Sequence, residues 1–184
     1  MSSIMVPAHG RKEIEKYVET IKDLFGLDKS MYIPVLKIAE LIIPQFDSGY
    51  SFVPVFDCEL ENNEYAKYIP ESNELLIKES VYCDACQGNP RHRFTIAHEL
   101  GHYFLHGDTA SFSRCSDTYK IPAYVNPEWQ ANVFAGAFLI SPKLTQGMTA
   151  SQIAQECGVS YEAASIAVKT NKKELNATHI KLFS

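Results

Sequence analysis

Residues 94–105 of the chain, FTIAHELGHYFL, form its most informative stretch. Apolar residues recur in it at helical spacing, so an amphipathic helix is predicted. His98 and His102 are four residues apart, which places them one turn apart on the same face of that helix. Two imidazoles in this arrangement can bind a single metal ion. The stretch is therefore predicted to be a metal-binding helix.

Glu99 directly follows the first of these histidines. Its carboxylate can reach a water molecule held on the metal rather than the metal itself. A bound metal lowers the pKa of such a water toward about 7, and the carboxylate can then take the proton as a general base. The pattern predicts metal-assisted hydrolysis with Glu99 as the catalytic residue. The alternative is that both histidines are only partly buried side chains of an amphipathic helix.

A catalytic zinc ion takes three protein ligands and keeps one position open, so a third ligand is needed. His106 is close in sequence, but eight residues of helix rise about 12 Å, too far for His98 and His106 to share one ion. We expect His106 near the end of the helix, where it caps the helix or lines the cleft. The metzincin extension is excluded, because Leu105 and Asp108 occupy its glycine and histidine positions.

Glu128 is the better candidate for the third ligand. It lies in the first turn of a predicted helix over residues 127–140, which Asn126 and the following proline would begin. Asn132 falls one turn later on the same side and can bond the outer nitrogen of a metal-bound histidine. The spacing alone leaves a second interpretation equally open, namely that Glu128 is only a favourable charge at a helix N-terminus.

The remaining pattern is typical of an α+β domain, in which helices precede and follow a short sheet. Residues 79–92 show no clear periodicity and are predicted to be irregular. The other predicted elements are helices over 11–26 and 35–43, the second ending before Pro44, a strand over 50–56, a hairpin over 64–69 and 74–78, and two short helices from residue 149 on.

Composition limits the class of protein. The chain has 184 residues, is 46% hydrophobic and carries a net charge of −5. A chain of this length can bury roughly 70% of its unfolded surface and needs no metal merely to fold. No apolar run is long enough to cross a membrane. The negative charge argues against binding nucleic acid directly.

Two further features bear on the cellular compartment. The N-terminus has no basic region followed by an apolar one, so no signal peptide is predicted and a cytoplasmic location is expected. The five cysteines are odd in number and do not form a disulfide framework. Cys83 and Cys86 could be half of a zinc site or a redox pair, but the spacing favours ordinary thiols.

Two motifs give the chain a family resemblance. Residues 93–102, RFTIAHELGH, and residues 128–142, EWQANVFAGAFLISP, closely resemble the ImmA/IrrE family of metallopeptidases. The likeness extends over about residues 30–145. In the family the second motif usually ends Leu-Leu-Met-Pro, whereas in this chain it ends LISP. The resemblance implies a gluzincin-like site in which Zn²⁺ is bound by His98, His102 and Glu128 and in which Glu99 is the base. The oxyanion could be stabilised by a tyrosine, Tyr103 or Tyr124.

The resemblance also implies a domain plan and a function. Residues 1–145 would form a zincin-like peptidase domain, and residues 146–184 a C-terminal tail resembling a helix-turn-helix. Characterised family members cleave a transcriptional repressor, so a zinc-dependent endopeptidase with a protein partner is expected. The alternative is a non-catalytic, antitoxin-like regulator that sequesters a DNA-binding partner. Residues 149–184 contain four lysines and three glutamates, a balance too weak to predict direct DNA binding. The pattern leaves the oligomeric state open.

Overall fold

The computed structural model describes residues 3–107, 113–115 and 122–182 of an α+β fold. Its strands are β1 (Ser3–Met5), β2 (Ser51–Val55), β3 (Ala66–Ile69), β4 (Glu74–Lys78) and β5 (Ser113–Cys115). Its helices are α1 (Arg11–Leu24), α2 (Val35–Lys37), α3 (Ile43–Phe46), α4 (Glu79–Cys86), α5 (Pro90–His106), α6 (Pro127–Leu139), α7 (Ala150–Cys157) and α8 (Tyr161–Leu182). A π turn, Ile38–Ile42, joins α2 to α3, and a 3-10 turn, Ala123–Val125, precedes α6.

The main sheet is small and mixed, with strand order β2-β4-β3. Strands β3 and β4 form the predicted antiparallel hairpin, in which Ala66 lies opposite Ile77. Strand β2 runs parallel to β4, with Ser51 opposite Glu74. Strands β1 and β5 form a separate antiparallel pair. This order leaves β3 at an edge of the three-stranded sheet, and this edge faces the helix that carries the two histidines.

Helices α5 and α6 pack closely against each other at the centre of the core. A Cβ atom on Gly101 would lie only 3.0 Å from the Cα atom of Ala131, so the two backbones approach where side chains are small. Both helices begin in the same way. Asn89 and Asn126 accept a hydrogen bond from a backbone N–H of the first turn, and each is followed by proline. The helices and the sheet bury a common set of apolar side chains, including Leu75, Ile77, Ile96, Leu100, Phe134 and Phe138.

The prediction of an irregular segment over residues 79–92 is wrong. Residues Glu79–Cys86 form α4, and α5 begins at Pro90 rather than near residue 94. Helix α4 is short, and of its side chains Val81 and Ala85 are buried, so its apolar stripe is too narrow to be recognised. Gly88, with φ of +80°, separates the two helices.

The predicted helix end before Pro44 is also wrong, because helical backbone continues to Phe46. The π turn explains how the proline is tolerated. In it the N–H of Ile43 donates to the carbonyl of Ile38, five residues earlier. Pro44 follows in the first turn of α3, where a missing N–H costs little.

The C-terminal tail packs on the same hydrophobic core as the helices before it. Helix α7 ends at Gly158, which has φ of +62°, and α8 is 22 residues long rather than short. The buried side chains of the tail include Ile153, Cys157, Val159 and Ala164. The division at residue 145 stays a prediction. No helix within the described residues has the length and apolar character that crossing a membrane requires.

Candidate metal centre

Three side chains from two helices converge on one point. His98 and His102 lie one turn apart on α5, and their Nε2 atoms are 3.1 Å apart. Glu128, from the first turn of α6, places one carboxylate oxygen 3.3 Å from the Nε2 atom of His98 and the other 3.4 Å from that of His102. All three groups offer a ligand atom within 4.8 Å of the others.

The outer nitrogen of each histidine is also in contact with a polar group. The Nδ1 atom of His98 lies 3.2 Å from the Oδ1 atom of Asn132, the residue proposed for this contact from the sequence. The Nδ1 atom of His102 lies 3.1 Å from the Nδ1 atom of His106. A ring that donates from Nδ1 keeps its Nε2 lone pair for a metal. The donor set, two imidazoles and a carboxylate, is one that suits catalytic zinc.

The electrostatics of the cluster favour a positive charge at its centre. The contacts of its carboxylate with the Nε2 atoms of His102 and His98 hold the pKa of Glu128 well below its usual range. Burial acts to lower the pKa of His98, but the hydrogen bond to Glu128 and the nearby carboxylates outweigh it, so this pKa is raised. A site that attracts a proton between two rings and a carboxylate also attracts a divalent cation.

Glu99 is held next to the cluster by the edge strand. Its Oε2 atom accepts a hydrogen bond of 2.8 Å from the backbone N–H of Tyr68 in β3. Burial raises the pKa of Glu99 above its ordinary value, although His102, His98 and the N–H of Tyr68 act in the opposite direction. A carboxyl group whose pKa is shifted upward is better suited to exchange a proton near neutral pH.

The cluster lies in an open cleft of about 500 Å³ between β3, α5 and the start of α6. Besides the three candidate ligands and Glu99, residues that line it include Tyr65, Ala66, Tyr68, Thr95, His106 and Pro127. The cleft is large enough for a polypeptide segment to reach the cluster.

His106 is where the sequence placed it, at the last position of α5 and on the wall of the cleft. It is only 3% exposed, and burial lowers its pKa to about 4. Its partner is Gln130, which was not predicted, and the Oε1 atom of Gln130 lies 3.0 Å from the Nε2 atom of His106. Contacts of this kind join residues of unrelated spacing, so no sequence pattern could have indicated them.

Neither tyrosine considered for the oxyanion is among the residues that line the cleft. Tyr103 donates its hydroxyl hydrogen to Asp47 over 3.0 Å and packs against Tyr50 and Tyr68. Tyr124 is 51% exposed and contributes its backbone carbonyl to a contact with Gln130. Tyr65 and Tyr68 are the tyrosines that line the cleft among the described residues.

The cysteine pair lies apart from the cluster, on α4. Cys83 and Cys86 are both exposed and free. Among the described residues, one group of three or more metal-ligating side chains comes together. It consists of His98, His102 and Glu128. That Cys83 and Cys86 are ordinary thiols stays a prediction, and they lie on a helix rather than in a loop.

The helix with its two histidines, the edge strand beside it and the carboxylate of the next helix define a small domain of the zincin-like class. The family model of peptidase M78, described as the IrrE N-terminal-like domain, matches residues 53–169. The chain belongs to this family, which is of the metallopeptidase type.

A solved structure shares the fold. A Mycobacterium tuberculosis transcriptional regulator matches with a TM-score of 0.55 and 21% sequence identity, over 83% of this chain. The match covers 45% of the regulator, so this chain spans less than half of that protein. No curated protein matches the chain significantly.

Proposed function

We propose that this protein is a zinc-dependent endopeptidase that cleaves a specific protein partner, such as a transcriptional repressor. The observation that carries the proposal is the convergence of His98, His102 and Glu128 beside a partly buried carboxylate, Glu99, that is not itself in the ligand group. A site that served only structure would need no such base. Membership of the peptidase M78 family supports the same reaction class.

The residues of the candidate site have different roles in this proposal. His98, His102 and Glu128 would hold the zinc ion, which when bound supplies a Lewis acid that polarises the scissile carbonyl and acidifies water. Glu99, fixed through Oε2 by the N–H of Tyr68, would accept the proton of the attacking water on its other oxygen. It would then give that proton to the departing amine, because one carboxyl group can serve as base and then as acid.

Two observations support a protein substrate. The net charge of −5 argues against a polyanionic partner. The cleft is open, and an extended peptide can join an edge strand such as β3, which lines the cleft and whose Tyr68 N–H is bonded to Glu99. A regulatory rather than digestive role follows from the family's known targets, which supports the proposal of a repressor.

The test is the Glu99→Gln variant. Gln can still accept the N–H of Tyr68 but cannot take a proton, so we expect zinc to bind as in the wild type while cleavage falls roughly 100- to 10,000-fold. The assay uses a candidate repressor-type transcription factor as the substrate, and the product masses identify the cut bond. A Glu99→Gln variant that cleaves as fast as wild type would contradict the mechanism.

Glu128→Gln is the matched variant for the ligand role. It replaces a carboxylate by an amide of nearly the same shape, so zinc is expected to bind more weakly in an equilibrium titration. If Glu128→Gln binds zinc as tightly as Glu99→Gln does, the third ligand is assigned wrongly. A stable complex of wild-type protein, zinc and repressor that remains uncut would instead support the binding-only function.

A further inference from the structure

A line of hydrogen-bonding groups runs from the candidate zinc ligand His102 to the backbone of the N-terminal segment. The Nδ1 atom of His102 lies 3.1 Å from that of His106. The Nε2 atom of His106 lies 3.0 Å from the Oε1 atom of Gln130. The Nε2 atom of Gln130 lies 2.8 Å from the carbonyl of Pro7 and 2.7 Å from that of Tyr124. We call His106 and Gln130 the relay.

The two carbonyls fix the orientation of the Gln130 amide. A carbonyl oxygen only accepts hydrogen bonds, so both carbonyls must face the NH₂ group and both of its hydrogens are used. The atom that faces His106 is therefore the amide oxygen, which accepts as well. It follows that the Nε2 atom of His106 must carry a hydrogen.

The hydrogen on Nε2 determines what His106 can do at its other nitrogen. The ring is 3% exposed, and a neutral imidazole has a single N–H. That N–H is already used at Gln130, so the Nδ1 atom of His106 has a lone pair and accepts. Its partner, the Nδ1 atom of His102, must then be the donor. The Nε2 atom of His102 is left with the lone pair that faces His98 and Glu128.

The same assignment is reached from the metal end. A histidine that binds zinc through Nε2 must carry its hydrogen on Nδ1. We propose that His106 and Gln130 are positioning residues, which select this tautomer of His102 before any metal arrives. The inference rests on the proposed function, because it assumes that His102 is a zinc ligand. Hydrogen-bond partners of metal-bound histidines are typically worth 10- to 100-fold in metal affinity.

The first test uses the wild-type, metal-free protein, so it does not depend on any variant folding. Long-range ¹H–¹⁵N spectra at mildly alkaline pH report which nitrogen of each histidine is protonated. We expect His106 to carry its hydrogen on Nε2 and His102 on Nδ1. Observation of His106 protonated on Nδ1, or of His102 protonated only on Nε2, would overturn the proposal.

The second test measures zinc affinity by competition with a chelator. His106→Leu removes the acceptor, and we expect zinc to bind about 10- to 100-fold more weakly. His106→Asn keeps an acceptor oxygen near the position of Nδ1, so it should restore most of the affinity. The control is Thr145→Val, which also removes a buried hydrogen bond, that from the Thr145 hydroxyl to Ser141, but lies outside the relay.

The two proposals fail in different ways. If wild-type protein does not bind zinc, the proposed function fails, while the tautomers of the metal-free protein still decide whether the relay exists. If wild type binds zinc and His106→Leu binds it equally tightly, the relay is wrong and the proposed function stands. A loss in His106→Leu that Thr145→Val reproduces to the same extent would also overturn the relay, because it would reflect general destabilisation.

Discussion

Lys22 is a buried cation outside the candidate site. Its side chain is 4% exposed, and its Nζ atom donates a hydrogen bond of 2.8 Å to the carbonyl of Ala137 near the end of α6. The last carbonyls of a helix have no partner within the helix, so this contact satisfies one of them. Burial lowers the pKa of Lys22 from 10.5 to about 8.

This shift predicts a pH dependence of stability. Below pH 8 the lysine is charged in both the folded and unfolded states, and the folded state bears the whole cost of burying the charge. Between pH 8 and 10.5 the unfolded chain keeps a proton that the folded protein has lost, so the free energy of unfolding from this group rises with pH. The full rise is about 3 kcal/mol.

Urea unfolding of wild type and of Lys22→Met across this pH range measures the effect. The methionine variant keeps the apolar stem and has no titrating group, so it should lack the rise. The wild-type free energy of unfolding should increase relative to that of the variant as the pH goes up. If the free energies of unfolding of wild type and of Lys22→Met change in parallel with pH, the pKa of Lys22 is not lowered in the folded protein.

Single residues of the site differ in how far their roles could be predicted. The pair His98 and His102 follows from spacing on one helix, whereas Glu128 as third ligand needed the family resemblance; the structure brings the three together. Asn132 follows from being one turn beyond Glu128. Gln130 could not be predicted, because its partner Pro7 is 123 residues away and the contact is made through a backbone carbonyl, which any residue type provides.

At the scale of elements, the packing of α5 on α6 sets the geometry of the cluster. A Cβ atom on Gly101 would lie 3.0 Å from the Cα and 3.1 Å from the carbonyl oxygen of Ala131. These are backbone atoms and cannot turn aside as a flexible side chain would. The glycine therefore lets α6 approach closely enough for Glu128 to reach the two histidines of α5.

We expect Gly101→Ala to push the two helices apart. Overpacking costs about 1–3 kcal/mol, and the better helix propensity of alanine returns about 1 kcal/mol, so a net loss is expected together with weaker zinc binding. The control is Gly136→Ala on α6, where a Cβ atom would meet nothing within 4 Å. That variant should be up to about 1 kcal/mol more stable. Thermal unfolding and zinc titration distinguish the two, and equal behaviour would contradict the packing argument.

The elements with a broad apolar stripe or a clear end signal were the predictable ones. Helix α1, the β3–β4 hairpin and the Asn-Pro start of α6 are all as the sequence indicated. Helix α4 was missed because two buried side chains in eight residues do not make a recognisable period. The continuation of the helix past Pro44 was missed because it depends on a π turn, and no pattern in this sequence indicates that turn.

At the scale of the whole molecule, one glycine lies in close contact between the C-terminal tail and the core. Gly158 has φ of +62°, and a Cβ atom there would lie 2.7 Å from the ring of Tyr32 and against the guanidinium of Arg93. Arg93 is itself buried, lies 3.7 Å from the centre of the Tyr32 ring and donates to the carbonyl of Ile33. The turn between α7 and α8 thus rests directly on a cation–aromatic pair.

Gly158→Ala should therefore be destabilising for two reasons, backbone strain and a clash. The matched control is Gly147→Ala, where φ is +79° but a Cβ atom would meet nothing within 4 Å. The left-handed backbone costs each variant about 1–2 kcal/mol, and the clash should cost Gly158→Ala a further 1–3 kcal/mol, roughly. Chemical unfolding measures both values. If they are equal, Gly158 is needed for its backbone conformation alone.

The fold class could be predicted from the order of elements, since helices on both sides of a short sheet point to an α+β domain. The way in which the C-terminal tail attaches to the core could not be predicted from the sequence. It depends on Arg93, whose burial against Tyr32 reverses the usual expectation that an arginine lies at the surface.

The long span of the Gln130 contacts has a consequence for the timing of synthesis. The amide of Gln130 meets Pro7, which is made before α5, and Tyr124, which is made after it. A nascent chain that has released α5 but not α6 already contains both histidines and His106, yet it lacks Glu128 and Gln130, the partner of His106. Such a chain cannot present the complete cluster, so the candidate metal site can form only after the first turn of α6 has emerged from the ribosome.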